Sequence, residues 1–194
     1  IKCQATGKYI CWIKHCGDDA CFTVLQADRF LGPYEVVKTH YRPFNHEVGD
    51  FDITVCSDTA YLYMDADHSG LLTMRLTTDF TEAAEKICWQ YKNLHAPFCR
   101  EAPAVFSHEG KWFMLTSGMT GYVPNRSDSA AANSPDAPFL SIGNPHVEDD
   151  SCASFNSQIS QVFKVPSKRG LYIALADRWV PDYPVDAKLA DLLE

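Results

Sequence analysis

The chain has 194 residues, enough for one ordinary domain or one large all-β domain. Seventeen Lys and Arg against 25 Asp and Glu give a net charge of −8 with His neutral, the wrong sign for a nucleic-acid footprint. A hydrophobic content of 46% is too high for disorder, and the longest apolar runs, such as Tyr172 to Ala176, fall far short of the ~20 residues that span a bilayer.

In chain order, the first element is an aromatic-led run, GKYICW, from Gly7 to Trp12. Ahead of it, Ile1 opens the chain with no basic-then-apolar start, so no signal or transit peptide is expected within these residues. Similar runs recur at TAYLYM (Thr59 to Met64), GKWFML (Gly110 to Leu115) and GLYIAL (Gly170 to Leu175). The runs are too short for helices and rich in Tyr, Ile, Trp and Phe, which predicts buried strands. With Tyr9, Tyr61, Trp112 and Tyr172 as anchors, the intervals are 52, 51 and 60 residues. A period near ~50 is the mark of a propeller or solenoid.

Each of the last three anchors is preceded by another short apolar run: ITVC (Ile53 to Cys56), APAVF (Ala102 to Phe106) and SQVF (Ser160 to Phe163). A polar link joins the members of each pair, as in SHEG (Ser107 to Gly110), which is hairpin grammar. A third element follows the anchors, where FTVLQADRFLGPYE (Phe22 to Glu35) parallels DSAAANSPDAPFL (Asp128 to Leu140). Helix signal is scarce. Asp79 and Glu82 are spaced as a capping box, with Ala83, Ala84, Ile87 and Tyr91 at helical spacing behind them, so a short helix outside the blades is expected there. Asp186 to Glu194 has helical spacing too, with a frayed tail as the alternative.

Four short antiparallel strands per ~50 residues make a propeller blade. The expected fold is therefore all-β, a β-propeller of four-stranded antiparallel blades within one domain, residues 1–194. Counting strands gives about three and a half blades. The first blade lacks its innermost strand, and the last holds little beyond its first two. Propellers usually close with four to eight blades, so the chain is either a tight four-bladed ring or a piece of a larger one, and the missing strand favours a piece.

Eight cysteines, about 4% of the chain, fall below the density of disulfide-stapled scaffolds, and no C-x-x-C occurs. Cys11, Cys56 and Cys88 sit inside apolar runs, where Cys behaves as a small hydrophobe. Mostly free thiols in a reducing, cytoplasmic setting are expected. The alternative is some disulfides in a secreted protein whose leader has been removed.

Polar residues open the first strand of three successive blades: Asp52, Glu101 and Gln158. They lie 9, 11 and 14 residues ahead of their anchors. The innermost strands of a propeller ring its axis, so equivalent strand ends converge on one face. Two carboxylates and an amide around one pocket suit glycoside cleavage, in which an acid protonates the leaving oxygen. Burial and a neighbouring carboxylate keep such an acid protonated near neutrality. Glu101, followed by Ala102 and Pro103, has the more apolar and rigid setting. The competing reading is that Asp52 and Glu101 cap strand ends or pair with Arg100 or Arg178.

The stretch REAPAVFSHEGKWFMLTSGMTGYVPN (Arg100 to Asn125) resembles the acid-bearing blade of glycoside hydrolase family 43. GDFDITV (Gly49 to Val55), SFNSQISQVF with LYIALADRW (Ser154 to Trp179) and the turn DRFLGPYE (Asp28 to Glu35) resemble that family in the same order. The T-G-Y-x-P-N loop together with the N-S-Q strand is most similar to its exo-β-1,3-galactanase-like branch. The resemblance implies about three and a half blades of a five-bladed propeller that begins inside the second blade. It implies an exo-acting, inverting hydrolase that removes terminal galactose, arabinofuranose or xylose in polysaccharide degradation. It assigns the general acid to Glu101 and the pKa modulator to Asp52. The family's usual general-base Asp lies on the first blade and has no counterpart here. In the galactanase-like branch a Gln on the last blade takes the base or water-positioning role, and Gln158 matches it. An amide is a weak base, so water positioning is the more cautious role.

Trp12, His15, Tyr122, Asn125, Arg178 and Trp179 fall at strand ends or loops near the expected pocket, where aromatics can stack on sugars and Arg or Asn can bind hydroxyls. Arg178 and Trp179 serve equally well as blade core. DADHSG (Asp65 to Gly70) opens like a calcium loop, but Leu76 stands at its twelfth position, so no EF-hand is expected. His46 with Glu47, and His146 with Glu148, are read as solvated loops, as is the acidic cluster from His146 to Asp150. No cofactor is expected. Some family 43 members hold calcium near the axis, but no ligand set identifies it here. The expected partner is a carbohydrate, with neither nucleic acid nor membrane. The alternative function is a non-catalytic sugar-binding propeller, or an inactive piece of such an enzyme. A protein-interaction propeller would instead show exposed aromatic patches and no converging carboxylates.

Overall fold

The computed structural model describes residues 1–95 and 98–179. They form four antiparallel sheets in chain order. The first holds β1 (Tyr9–His15), β2 (Cys21–Ala27) and β3 (Glu35–Tyr41). The second holds β4 (Val48–Cys56), β5 (Thr59–Ala66), β6 (Leu71–Leu76) and β7 (Ala83–Gln90). The third holds β8 (Arg100–His108), β9 (Lys111–Gly118), β10 (Asp128–Ala132) and β11 (Leu140–Gly143). The fourth pairs β12 (Ser157–Lys164) with β13 (Tyr172–Arg178). Three of the four aromatic-led runs, β5, β9 and β13, follow an inner strand, while the first, β1, opens its sheet. The sheets do not close into a ring, and the architecture is that of a partial propeller.

The core lies between sheets rather than within one. Trp12, Phe22 and Val24 of the first sheet bury against Leu62, Met64, Leu72 and Met74 of the second. Tyr61, Tyr63 and Leu71 of the second bury against Val105, Met114, Ala130 and Phe139. Ala102 and Ala104 of the third bury against Ile159 and Val162 of the fourth. β5 carries the most continuous burial, because it is covered on both faces. The Tyr63 hydroxyl, deep in this layer, donates to the Pro135 carbonyl at 2.7 Å and so ties the second sheet to the third. β4, β8 and β12 pack side by side, which makes them the inner strands.

The segment after Asp79 is not a helix. Ala83–Gln90 is β7, the outer strand of the second sheet, paired with β6 from Leu71↔Gln90 to Leu76↔Ala83. Asp79 instead organises the hairpin turn before it. Its carboxylate accepts from the Thr77 hydroxyl (2.5 Å), the Thr81 N–H (3.2 Å) and the Thr81 hydroxyl (3.0 Å). The helical spacing of Ala83, Ala84 and Ile87 loses to the open edge of β6, whose unpaired backbone groups β7 satisfies along its length. Two register shifts along β7 let its residues follow β6 despite their spacing.

Two short 3₁₀ turns share a Phe-Asn pair, Pro43–Asn45 ahead of β4 and Ser154–Asn156 ahead of β12. Each reverses the chain between sheets with Phe and Asn in left-handed backbone. The acidic stretch before the second turn is not simply solvated. Asp149 is buried, and its carboxylate accepts the N–H groups of Ser154 (2.7 Å) and Ala153 (3.3 Å), so it caps that crossing. All eight cysteines are free thiols. No helix among the described residues is long and apolar enough to cross a membrane. The expected helix from Asp186 lies outside the described residues.

Candidate active site

The inner strands β4, β8 and β12 begin on one face, and each carries a bulge close to that end. The register shifts fall between Val48 and Phe51, between Glu101 and Ala104, and between Ile159 and Gln161. A bulge sharpens local twist and re-aims the side chains beside it. Here the three bulges turn polar residues toward a common hollow. It is a cavity of 260 Å³ lined by Lys14, Asp50, Phe51, Ala102, Gln158 and Asp177, among others.

Glu101 is half-buried, opposite Ser117 in the β8–β9 pair, and its chain neighbour Ala102 lines this hollow. The Gln158 side-chain amide donates to Glu101 Oε1 at 3.1 Å, so the third and fourth sheets meet at this point. Burial, reinforced by the negative charges of Asp50 and Asp65, raises the Glu101 carboxyl to about 7, while the Gln158 hydrogen bond and His68 pull the other way. A carboxylic acid in that range holds its proton at working pH and can give it up during reaction.

Asp52 departs from its expected place. It is buried, and burial raises its carboxyl to about 6. The Val105 N–H donates to its Oδ2 at 2.7 Å, clamping β4 to β8. It does not line the hollow. The acid that does is Asp50, whose Oδ1 accepts from the Lys14 ammonium at 2.7 Å in a partly exposed ion pair. The bulge at Gly49 and Asp50 gives two acids two residues apart different neighbours. Gly49 was the one available sequence signal, since an isolated Gly inside a strand marks a bulge or a close backbone approach.

Of the other expected residues, Trp12 belongs to the core. It packs edge-on against Phe22 and Tyr41, and its indole N–H donates to the Phe80 carbonyl at 3.0 Å. Asn125 is a loop clasp. Its Oδ1 accepts the Gly118 N–H (2.7 Å), and its amide donates to the Gly118 carbonyl (2.8 Å) and the Thr120 hydroxyl (2.7 Å). That spends its hydrogen-bonding capacity on shaping the loop. His15 is exposed and bonded to Thr23, and Arg178 is exposed at the end of β13. Tyr122 and Trp179 meet edge-on with ring centroids 6.2 Å apart, joining the mouth-side loops of the third and fourth sheets. A larger cavity of 640 Å³ lies farther out on the third sheet, and of the expected residues only Asn125 lines it. Among the described residues, no three His, Cys, Asp or Glu side chains converge as a metal site. His46 is held by Asp67 at 2.7 Å.

The hollow thus joins an Asp–Lys pair and an amide, and the amide is bonded to the protonatable acid Glu101. Asp50→Asn removes one negative charge that favours the protonated Glu101. The expected result is a lower Glu101 pKa and a several-fold drop in activity at pH 7. The pH–rate profile checks it, and the basic limb moves to lower pH if Asp50 acts this way.

No protein-family model matches the chain, and neither does any curated protein. Solved structures do. A family 43 β-1,3-galactosidase superposes with TM-score 0.83 at 29% identity, over 93% of this chain and 39% of its own. The exo-β-1,3-galactanase of Phanerochaete chrysosporium, crystallised with galactose, gives 0.78 at 22%, over 93% and 42%. That of Clostridium thermocellum gives 0.74 at 20%, over 92% and 41%. The chain therefore spans about two fifths of the length of these structures. With these sheets, this order of inner strands and this likeness, the chain has the fold of a partial propeller like those of the family 43 structures.

Proposed function

We propose that the protein is a glycosidase that releases terminal galactose from β-1,3-linked galactans, with Glu101 as its general acid. The observation that carries this is the half-buried Glu101, raised to about 7 and bonded to Gln158 beside a charged hollow. The likeness to a β-1,3-galactosidase and to galactanases crystallised with galactose or β-1,3-galactotriose supports the sugar class.

In this reading Glu101 gives its proton to the departing glycosidic oxygen. A water attacks the anomeric carbon from the opposite face, and its proton passes to solvent, which inverts the configuration. Gln158 donates to Glu101 through its amide nitrogen and so steadies the acid on its own side of the sugar. Asp50 stands where the expected modulator would, paired to Lys14. Tyr122 and Trp179 offer aromatic faces at the mouth for a sugar ring.

The test is hydrolysis of β-1,3-galactan and of nitrophenyl galactosides, arabinosides and xylosides. Galactose release from the galactan, lost in Glu101→Gln, is the expected outcome. Preference for an arabinoside or xyloside would replace the sugar assignment. Sugar binding with no turnover on the whole panel would favour a non-catalytic binding propeller.

A further inference from the structure

Behind the bulge that carries Asp50 lies a second acid that the proposed reaction does not use. Asp65, near the end of β5, is completely buried. Its Oδ2 accepts from His68 Nδ1 at 2.7 Å, and its Oδ1 has no hydrogen-bond partner among the described residues. The backbone of Gly49 presses on the same carboxyl, so that a Cβ at position 49 would collide with Oδ2. Gly49 and Asp50 are the bulged residues of β4. The buried carboxyl is therefore the back support of the residue that lines the hollow. His68 stands in the β5–β6 turn in left-handed backbone, its ring mostly exposed on the mouth side.

A carboxyl buried with one oxygen unbonded costs free energy that an apolar side chain of similar size would avoid. Its presence beside Gly49 calls for a role. The charged and titratable groups around Glu101 come from three sheets: Lys14 on β1, Asp50 on β4, Asp65 and His68 on β5 and its turn, and Asp177 on β13. Gln158 on β12 is neutral, and Arg100 is turned onto Thr116. Of these, Lys14 and Asp50 are paired at the hollow itself, whereas Asp65 and His68 are hydrogen-bonded behind the strand that carries Asp50.

We propose that Asp65 and His68 are a positioning pair that seats the Asp50 bulge and sets the pH window in which Glu101 holds its proton. This deepens the glycosidase reading for turnover, but its electrostatic part stands apart from it. The Asp65 anion favours protonated Glu101, and the His68 cation favours the ionised form. Removing each should therefore move Glu101 in opposite directions.

The experiment is a ¹³C NMR titration of the full chain labelled at Glu carboxyl carbons, with the Glu101 signal assigned by its loss in Glu101→Gln. Asp65→Asn should lower the Glu101 midpoint, and His68→Gln should raise it, each by several tenths of a pH unit. The basic limb of the pH–rate profile should follow. An unmoved midpoint in both variants, or movement in the same direction, overturns the pairing, since simple loosening of the fold would not split the signs. His68 is exposed, so His68→Gln decides the matter alone if Asp65→Asn does not fold. If the NMR shifts appear but no galactoside is cleaved, the glycosidase reading fails and the pairing stands.

Discussion

In the glycosidase proposed above, Glu101→Gln is expected to lower galactan hydrolysis by about 10²–10⁴-fold, the usual contribution of a positioned general acid, or roughly 3–5 kcal/mol of transition-state stabilisation. The amide keeps the shape of the side chain and can still contact Gln158, but it has no proton to give. Sugar binding should therefore survive while turnover does not. The pH dependence has a fixed sign. As the proposed acid, Glu101 would work only when protonated, and its carboxyl is raised to about 7, so the expected activity falls as pH rises through that value. Steady-state kinetics with galactose release, run beside binding measured by calorimetry, separates the two effects. Equal loss of binding and turnover would mean that Glu101 holds the sugar rather than protonating its leaving group.

Trp12→Ala is expected to destabilise the fold by about 3–5 kcal/mol, as large-to-small changes at buried aromatic sites do. The cavity would open between the first and second sheets, where Trp12 contacts Phe22 and Tyr41. The change also leaves the buried Phe80 carbonyl without its indole donor. For a chain of this size the midpoint of thermal unfolding should drop by roughly 6–20 °C. Tyr122→Ala is the control. Tyr122 is 85% exposed, so its loss should change stability by no more than about 0.5 kcal/mol. Differential scanning calorimetry on the two variants tells a core tryptophan from a sugar platform. Comparable melting of Trp12→Ala and wild type would return Trp12 to the binding surface.

The blade pattern was legible because its strands have a repeating chemistry. Tyr9, Tyr61, Trp112 and Tyr172 mark the second strand of each unit, and Ile53, Val105 and Val162 mark the inner one. Glu101 and Gln158 were legible as a meeting pair because equivalent strand starts share a face, and the structure brings them to 3.1 Å. The outer strand β7 was not legible. Its face is exposed at Ala84, Glu85 and Lys86, so it lacks the alternation that marks a half-buried strand, and its local spacing mimics a helix. Asp50 escaped because alternation along β4 breaks at the bulge, where counting by twos no longer tells which neighbour a side chain meets. Asp149 looked like part of a solvated acidic cluster because its partners are backbone N–H groups, which no sequence pattern announces.

The extra residue near the start of each inner strand separates two demands on the same strand. Beyond it, residues such as Val105 and Val162 must keep their pairing to fill the layers between sheets. Ahead of it, residues such as Glu101 and Gln158 stay paired, but in a register offset by one residue. Substitutions at the mouth can therefore change which ligand is accepted without re-threading the ladder underneath, so specificity and foldability can drift independently in this architecture.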